Sequence, residues 1–322
     1  MERTGASGSV GRDRATHGTG ERSRRASAGL AGAALAAVMW GFAGVLAALT
    51  TCSGITTSFW RLLLGSVVYG IALVATRRRL RVAALRACVP GGILLGADMA
   101  LFFSAVKLTS IAVVSVIGAM QPLVVALAAR YVLRERSGAW DAMWMATALV
   151  GVVLVVVGSA SGSPDRLTGD VLAVLSMLCW SAFWVVSKRA RETQGSVEYT
   201  AGVTFVALVA VAPVTLVADH GVGHLTAGDW LPVVLITLVP GAGHLVMNWT
   251  HRYMAASLSS VIGNLNALVA AVAAIPILGQ PMTLVQLLGV AVALGGVVAL
   301  AVRRRGDVTF GVDARAEVDV DP

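Results

Sequence analysis

Residues 111–129 read IAVVSVIGAMQPLVVALAA, and residues 256–274 read ASLSSVIGNLNALVAAVAA. Both segments are apolar and long enough to enter the roughly 30 Å hydrocarbon core of a bilayer. They align without a gap at an offset of 145 residues, and the motif SVIG stands at the same place in each. The same offset aligns further pairs: Lys107 with Arg252, Gly96 with Gly241, and Gly151 with Gly296. This register predicts that the chain contains an internal repeat.

The composition of the whole chain is typical of a membrane protein. Of its 322 residues, 57% are hydrophobic and 13% are charged, whereas roughly 25% are charged in a soluble domain. The mean hydropathy of +0.80 excludes a disordered chain and argues against a soluble enzyme. Apolar stretches of sufficient length predict ten transmembrane helices, near residues 30–50, 55–76, 88–106, 111–133, 142–159, 170–188, 200–218, 229–250, 256–278 and 283–302.

The number of helices in each repeat predicts how the two halves are related. Five is odd, so the second copy enters the membrane from the opposite side. We therefore predict an all-α polytopic membrane protein, with ten transmembrane helices in two inverted five-helix repeats at residues 30–160 and 168–303. Inverted repeats are typical of secondary transporters. A basic, disordered tail over residues 1–29 and a C-terminal tail over residues 304–322 complete the predicted organisation.

The distribution of Lys and Arg predicts the orientation. If the N-terminus is cytoplasmic, 22 of the 25 Lys and Arg residues lie in cytoplasmic segments, which is the bias known from membrane proteins. Both tails are then cytoplasmic, and the protein is a multi-pass protein of the inner (plasma) membrane. The net charge of +8 follows from this bias, so we expect the lipid bilayer and no nucleic acid as a partner. Frequent Ala, Val, Gly and Arg with few Lys suggest a high-GC bacterium.

Motifs for catalysis and metal binding are absent from the sequence. It contains no HExxH, GxSxG or GxxxxGK[ST] segment, so we predict neither an enzyme nor a chain that is itself driven by ATP. The three cysteines, Cys52, Cys88 and Cys179, show no CxxC spacing. No metal or other cofactor is therefore predicted.

Short motifs stand in a fixed order along the predicted helices. They are Trp40-Gly41, Phe59-Trp60-Arg61, Gln121-Pro122-Leu123, Leu133-Arg134-Glu135 and Trp180. In this order they resemble the EamA-type transporters of the drug/metabolite transporter superfamily, and the resemblance covers residues 30–303. The second half departs from the pattern, because Ala267 replaces Pro122 and Gln280 replaces Glu135. The resemblance implies a small-molecule permease, often an exporter of amino acids, metabolites or drugs.

Two charged residues lie well inside the predicted helices, away from the helix ends. Asp98 is near the middle of the third helix, and Arg61 is a few residues into the second. A charge in the bilayer centre costs roughly 2.5–3.5 kcal/mol on insertion scales, so such residues usually face a partner or a cavity. We predict that Asp98 and Arg61 lie close together in at least one state. They form either a structural ion pair or a site for substrate or protons, which leaves proton coupling open.

Polar and aromatic residues complete the candidate site. His244 and Asn248 are four residues apart and share a helix face, while Gln121 and Asn266 hold equivalent positions in the two repeats. The predicted substrate-binding set is Trp40, Arg61, Asp98, Gln121, Trp180, His244, Asn248 and Asn266. Hydrogen bonds between helices and simple aromatic packing are the alternatives. Glu135 is predicted to act with Arg61 and Asp98 in gating or ion pairing, or else to be a solvated charge.

These features favour a secondary active exporter of small organic molecules (a metabolite, an amino acid or a drug) that works by alternating access. Within transport, the alternatives are an importer and an exchanger for sugar phosphates or nucleotide sugars. Outside transport, they are a membrane scaffold and an intramembrane enzyme. Because Arg61 is the one clear cation near mid-membrane, neutral, zwitterionic or cationic substrates are favoured. The chain is expected to be a monomer or a homodimer.

Overall fold

The computed structural model describes residues 9–121, 164–221, 223–251 and 256–279, scattered residues between 124 and 154 and between 253 and 299, and most side chains from residue 27 onward. The described residues form helices and no strand. The helices are α1 (Ser9–Ala48), α2 (Gly54–Ala75), α3 (Val82–Leu108), α4 (Ile111–Gly118), α5 (Pro164–Ala190), α6 (Ser196–Ala218), α7 (Trp230–Thr250), α8 (Ala256–Gly263) and α9 (Leu265–Leu278).

Within the described residues, six helices contain spans that are long and apolar enough to cross a membrane. These spans lie in α1, α2, α3, α5, α6 and α7, and each has 21 to 27 residues with a mean hydropathy of 1.6 to 2.3. The prediction of an all-helical polytopic membrane protein is thereby confirmed. The predicted helices at 142–159 and 283–302 lie largely outside the described residues, so the total of ten stays a prediction.

Helix α1 begins earlier than the sequence predicts. Its apolar span covers Ser27–Ala48, but the helix begins at Ser9, within the segment predicted to be a disordered tail. No proline interrupts residues 9–48, so every residue can donate its backbone hydrogen bond. Extending a helix fixes one residue for each new hydrogen bond, whereas starting one is costly. The apolar span can therefore support helical structure in the polar residues before it.

Two helices are broken at equivalent points of the two repeats. Helix α4 ends at Gly118 and a turn follows at Ala119, whereas α8 ends at Gly263 and α9 begins after Asn264. The helix predicted over residues 256–278 is thus interrupted. The Nδ2 atom of Asn264 donates a 2.7 Å hydrogen bond to the carbonyl oxygen of Ala119, 145 residues away. This separation equals the repeat offset, so the two breaks meet in the interior of the bundle.

The third long helix of each half packs against the first two helices of the other half. Helix α3 lies against α5 and α6, and α7 lies against α1 and α2. Helices α4 and α9 contact each other, and α9 also packs on α1. Because the halves interlock in this way, any space at their junction is lined by side chains from both repeats.

Candidate functional site

A cavity of about 700 Å³ lies at the junction of the two halves. Seven of the predicted substrate-binding residues line it: Trp40, Arg61, Asp98, Gln121, Trp180, His244 and Asn266. At a rise of 1.5 Å per residue, Arg61 is about 10 Å from the start of α2 and Asp98 is about 15 Å from the end of α3. The cavity is therefore near mid-height of the bundle.

Arg61 contributes the positive charge of the central cavity. The residue is 6% exposed; its Nη2 atom lies 3.1 Å from Nε2 of His244, and Nη1 contacts the sulfur of Met99. A guanidinium can only donate hydrogen bonds, so Nε2 of His244 accepts and the proton of the neutral ring is on Nδ1. The guanidinium carbon is also 5.7 Å from the ring centre of Phe103. All these neighbours are uncharged.

Asp98 contributes the negative charge and is held by α5. Its Oδ1 atom accepts a 2.6 Å hydrogen bond from the hydroxyl of Ser176. Asp98 and Arg61 line the same cavity, but in the described structure their charged atoms form no ion pair within 4.0 Å. Direct contact in another state stays a prediction. Sequence reasoning missed Ser176, although its spacing of four residues from Trp180 places both on one helix face.

Aromatic rings form one wall of the cavity. The rings of Trp40 and Trp180 meet edge to face with their centres 5.2 Å apart, so the structure brings the two predicted tryptophans together. Each also lies beside the imidazole of His244, at 5.2 and 5.4 Å. Phe183 does not line the cavity but is buried and stacks on Trp180, with the ring centres 5.2 Å apart. This wall offers a large apolar surface next to the polar groups.

Gln121 and Asn266 directly follow the two helix breaks and both reach the central cavity. Gln121 is 3% exposed, and its amide nitrogen has no hydrogen-bond partner among the described residues. In secondary transporters, broken helices near mid-membrane typically form the substrate site. The equivalence of these two amides in sequence therefore corresponds to a shared location. Glu135 lies outside the described residues, and its role in gating or ion pairing stays a prediction.

Asn248 faces a second, smaller cavity of about 350 Å³ between α2, α3, α6 and α7. It is one helical turn beyond His244, which carries it away from the central cavity. Its side-chain amide donates to Oγ1 of Thr200 at 2.9 Å, and its backbone carbonyl oxygen accepts from Nε of Arg191 at 2.8 Å. The bond to Thr200 is an interhelical hydrogen bond of the kind that was the alternative to substrate binding. Arg61 and His244 line both cavities and form part of the wall between them.

Hydrogen bonds tie the helix connections together at the end of the bundle where α7 begins, which we call the Asp229 end. Asp229 is fully buried and accepts from the backbone nitrogens and hydroxyls of Thr51 and Thr226 at 2.5–3.1 Å. Burial raises the pKa of Asp229, but these hydrogen bonds outweigh it and lower the pKa to about 2. Asp219 accepts from Ser53 and Thr56 at 2.5 Å. The α1–α2 connection is thus joined to the α6–α7 connection.

Cationic side chains dominate the opposite end, which we call the His251 end. The Nζ atom of Lys188 donates to the carbonyl oxygen of His251 at 2.5 Å, which ties α5 to the end of α7. Burial, together with the nearby cations Lys188 and Arg191, lowers the pKa of His251 to about 3, so its ring is neutral. At the surface, Arg78 and Glu198 form an ion pair at 3.0 Å.

The lining of the central cavity suits reversible binding of a small polar organic molecule. It combines a cation, a carboxylate, an imidazole, two amides and a hydroxyl with an aromatic wall, and such a mixture is usual in ligand pockets. Across the part of the chain that the structure describes, no group of three or more His, Cys, Asp and Glu side chains could hold a metal ion.

Comparison with known proteins identifies the family. The family described as "EamA-like transporter family" matches the chain twice, over residues 27–157 and 167–302. The chain belongs to the EamA-like transporter family. This EamA-like protein is 24% identical over 252 residues to the "Uncharacterized transporter YyaM" of Bacillus subtilis (strain 168). The matched region covers 75% of this chain and 82% of that protein.

The fold also has a counterpart among solved structures. A crystal structure matches this EamA-like protein with a TM-score of 0.69 at 19% sequence identity, over 86% of this chain and 98% of that chain. That likeness concerns the fold alone. The two family matches confirm the predicted resemblance, and together with the transporter relative they support a function in membrane transport.

Proposed function

We propose that this EamA-like protein is a secondary active exporter that moves a small organic molecule through the central cavity by alternating access. The observation that carries the proposal is the cavity itself. It lies near mid-height, beside the paired helix breaks, and is lined by polar side chains from both halves. Transporters built from repeats typically bind their substrate at such a junction, whereas a membrane scaffold has no need of one.

Alternating access requires two ends that open in turn. The Asp229 end is held by hydrogen bonds to the buried carboxylate of Asp229. The His251 end is held by a hydrogen bond from Lys188 to the carbonyl oxygen of His251, at the end of α7. The two sets involve different connections, so one can break while the other persists. Following the Lys and Arg bias, we place the Asp229 end outside and the His251 end, with both termini, in the cytoplasm of a bacterial cell.

The charges of the cavity bear on substrate and coupling. Asp98 offsets the charge of Arg61 within the same cavity, which favours neutral, zwitterionic or cationic substrates over anions. Asp98 is also our candidate for proton coupling, because intramembrane carboxylates on a transport pathway commonly serve as proton relays. Protons that enter from outside and neutralise Asp98 would exchange for substrate that leaves the cell.

Transport into sealed membrane vesicles tests this function. Inside-out and right-side-out vesicles that contain the protein would receive a labelled panel of amino acids, amines, sugars and sugar phosphates, with and without a pH gradient. We expect uptake into inside-out vesicles with an acidic interior. Uptake confined to right-side-out vesicles would indicate an importer, and a strict need for a counter-substrate would indicate an exchanger. Movement of no compound in either orientation would overturn the proposal.

Cysteine labelling tests whether the cavity is the pathway. In a variant whose three native cysteines are replaced by alanine, cysteine would be placed at Trp40, Gln121 or Asn266. An aqueous thiol reagent should label these positions, and a transported compound should protect them. Cysteines at Val171 and Val174, which are 51% and 40% exposed on the outer surface of α5, are the controls. Cavity labelling no greater than at these controls would contradict the assignment.

A further inference from the structure

Five arginines are concentrated where α2 is connected to α3. This α2–α3 arginine patch consists of Arg77, Arg78, Arg79, Arg81 and Arg86. All five are exposed, and no Asp or Glu occurs between residues 54 and 97. Within the described part of the chain, Arg78 pairs with Glu198 of α6, whereas the side chains of the other four arginines form no ion pair or hydrogen bond. The patch therefore carries a positive charge that is largely uncompensated.

Exposed apolar side chains border the arginine patch on both sides along the chain. Ile71 and Val74, in the last turns of α2, are 63% and 80% exposed, and Val82, at the start of α3, is 70% exposed. Contact with lipid acyl chains removes such apolar surface from water. Val82 and Arg86 are four residues apart and share a helix face. The patch therefore lies where hydrocarbon meets the lipid headgroups, which long arginine side chains can reach.

The backbone of Arg77 has a conformation that favours glycine. Its φ of 52° lies in the left-handed region, directly after Thr76, which caps the end of α2. The backbone nitrogens of Arg77 and Arg78 donate to the carbonyl oxygens of Val74 and Leu73, as is usual where a left-handed residue ends a helix. Glycine adopts this conformation without the steric cost that arginine incurs. The helix end therefore does not account for arginine at this position, whereas a role for its charge does.

The second repeat shows that the fold does not require cations at this connection. At the offset of 145 residues, the equivalents of the five arginines are Val222, Gly223, His224, Thr226 and Leu231. None of these residues carries a permanent positive charge. The arginines can keep their end of the bundle in the cytoplasm, or they can also bind an anion directly.

We infer that the α2–α3 arginine patch binds the phosphate group of an anionic phospholipid in the leaflet at the His251 end. Arginine matches the oxygens of a phosphate with two parallel hydrogen bonds, and clusters of roughly four to eight basic residues beside a membrane span are typical of binding to anionic lipids. The acyl chains of the same lipid would pack on Ile71, Val74 and Val82. This inference goes beyond the transport function proposed above and does not depend on it.

Lipid titration of the purified protein in an uncharged detergent tests the inference. A fluorescent phosphatidylglycerol reports binding, and unlabelled phosphatidylglycerol, phosphatidylcholine and glycerol phosphate are added as competitors. We expect phosphatidylglycerol to compete about tenfold or more better than the other two, because phosphatidylcholine has no net charge and glycerol phosphate has no acyl chains. Equal competition by phosphatidylcholine would show that charge is not recognised, and equal competition by glycerol phosphate would indicate a site for a soluble anion. Either result, or a lack of saturable binding, would overturn the inference.

Removal of single charges tests whether the lipid binds at the patch. Arg79→Gln and Arg81→Gln should each weaken the binding of phosphatidylglycerol about fivefold, which is the loss expected for one basic residue near an anionic surface. Arg166→Gln is the control, because Arg166 is exposed near the start of α5, at the opposite end of the bundle. It should bind the lipid as the wild type does. Unchanged affinity in both patch variants would mean that the arginines serve topology alone, and the inference would fail.

The variant Arg77→Gly separates lipid binding from folding. Glycine suits the left-handed backbone at this position, so the midpoint of thermal unfolding without added lipid should hold or rise. The affinity for phosphatidylglycerol should nevertheless fall about fivefold, because one charge is lost. A fall in affinity without a fall in the midpoint cannot result from misfolding. Wild-type affinity in Arg77→Gly would contradict the inference.

Discussion

Helices α3 and α7 hold equivalent places in the two repeats but pack against their neighbours in different ways. Where α3 meets α6, a Cβ atom at Gly96 would lie 3.0 Å from the carbonyl oxygen of Ala207. At the equivalent residue of α7, Gly241, a Cβ atom would meet only the hydroxyl of Tyr69, at 3.7 Å. The α3–α6 interface is therefore a close backbone contact, and the α7–α2 interface is not.

The sequence explains this difference. On α3, Gly91 and Gly92 precede Gly96, and small residues let helix backbones approach closely. At the same offset, α7 carries Ile236 and Thr237, whose branched side chains need more room. Thr237 lines the second cavity, which lies between α2, α3, α6 and α7. The two halves thus share the order of their helices, but the α3–α6 interface is tight and the α7–α2 interface is more open.

The polar site shows the same divergence. Asp98 on α3 reaches the central cavity, whereas the residue that the offset places on α7 is Gly243. A Cβ atom there would lie 3.0 Å from the indole nitrogen of Trp40, so the absence of a side chain lets α1 approach. One repeat supplies the carboxylate, and the other makes room for the aromatic wall.

The largest expected effect is at the tight interface. In Gly92→Ala, the new methyl group would collide with Cβ of Val206 and lie 3.0 Å from the carbonyl oxygen of Val203. Overpacking of this kind costs about 3 kcal/mol, so the midpoint of thermal unfolding in detergent should fall by several degrees. Gly70→Ala on α2, where no atom lies within 4 Å of the new Cβ, is the control and should not fall. Equal midpoints for the two variants would contradict the close contact.

The next largest loss of stability is expected on substitution of Asp229, which directly precedes α7. Asp229→Asn replaces an oxygen that accepts from Thr51 or Thr226 with an amide that can only donate. We expect a loss of about 2 kcal/mol at neutral pH, in line with hydrogen bonds to charged groups. Because the pKa of Asp229 is lowered from 3.8 to about 2, its stabilisation is complete above about pH 4 and is lost as the pH falls towards 2.

Thermal unfolding at several pH values checks this prediction. The gap between the midpoints of wild type and Asp229→Asn should be widest above pH 4 and should narrow on acidification. A gap that stays constant down to about pH 2.5 would show that the charge of Asp229 does not contribute.

The matched pair Gly96→Ala and Gly241→Ala tests the comparison directly. Alanine gains up to about 1 kcal/mol over glycine in a helix interior, and at Gly241 little opposes this gain because the nearest atom is at 3.7 Å. At Gly96, the contacts at 3.0–3.3 Å with Ala207 and Val211 should outweigh it by about 1 kcal/mol. The unfolding midpoint should therefore fall for Gly96→Ala and hold or rise for Gly241→Ala. A fall of similar size in both would mean that the two interfaces are equally tight.

The sequence predicted which residues line the central cavity better than it predicted the packing between helices. Charged and polar residues inside apolar spans are conspicuous, and Arg61, Asp98 and His244 all line one cavity. The partners of these residues depend on side-chain geometry at contacts between distant helices. Ser176, which binds Asp98, is an ordinary serine in the sequence, and Asn248 shares a helix face with His244 yet lines the other cavity.

The helix breaks were not predicted, although the sequence carries weak signals for them. Gly118 with Pro122, and Gly263 with Asn264, are residues that disfavour a helix interior. The apolar pattern around them nevertheless predicts unbroken helices. The hydrogen bond from the amide of Asn264 to the carbonyl oxygen of Ala119 joins residues 145 positions apart, and a local pattern cannot predict such a contact.

The smallest expected effect is at the open interface, where one hydrogen bond takes the place of close packing. The hydroxyl of Tyr69 donates to the carbonyl oxygen of Gly241 at 2.5 Å, and both residues line the second cavity. Tyr69→Phe removes this bond and leaves the carbonyl without that donor, which should cost about 1 kcal/mol. The variant should therefore lower the unfolding midpoint by less than Gly92→Ala does. Tyr253→Phe, at a residue that is 39% exposed, is the control and should have no effect. A loss as large as that of Gly92→Ala would show that the α7–α2 interface depends on this bond as strongly as the α3–α6 interface depends on its glycines.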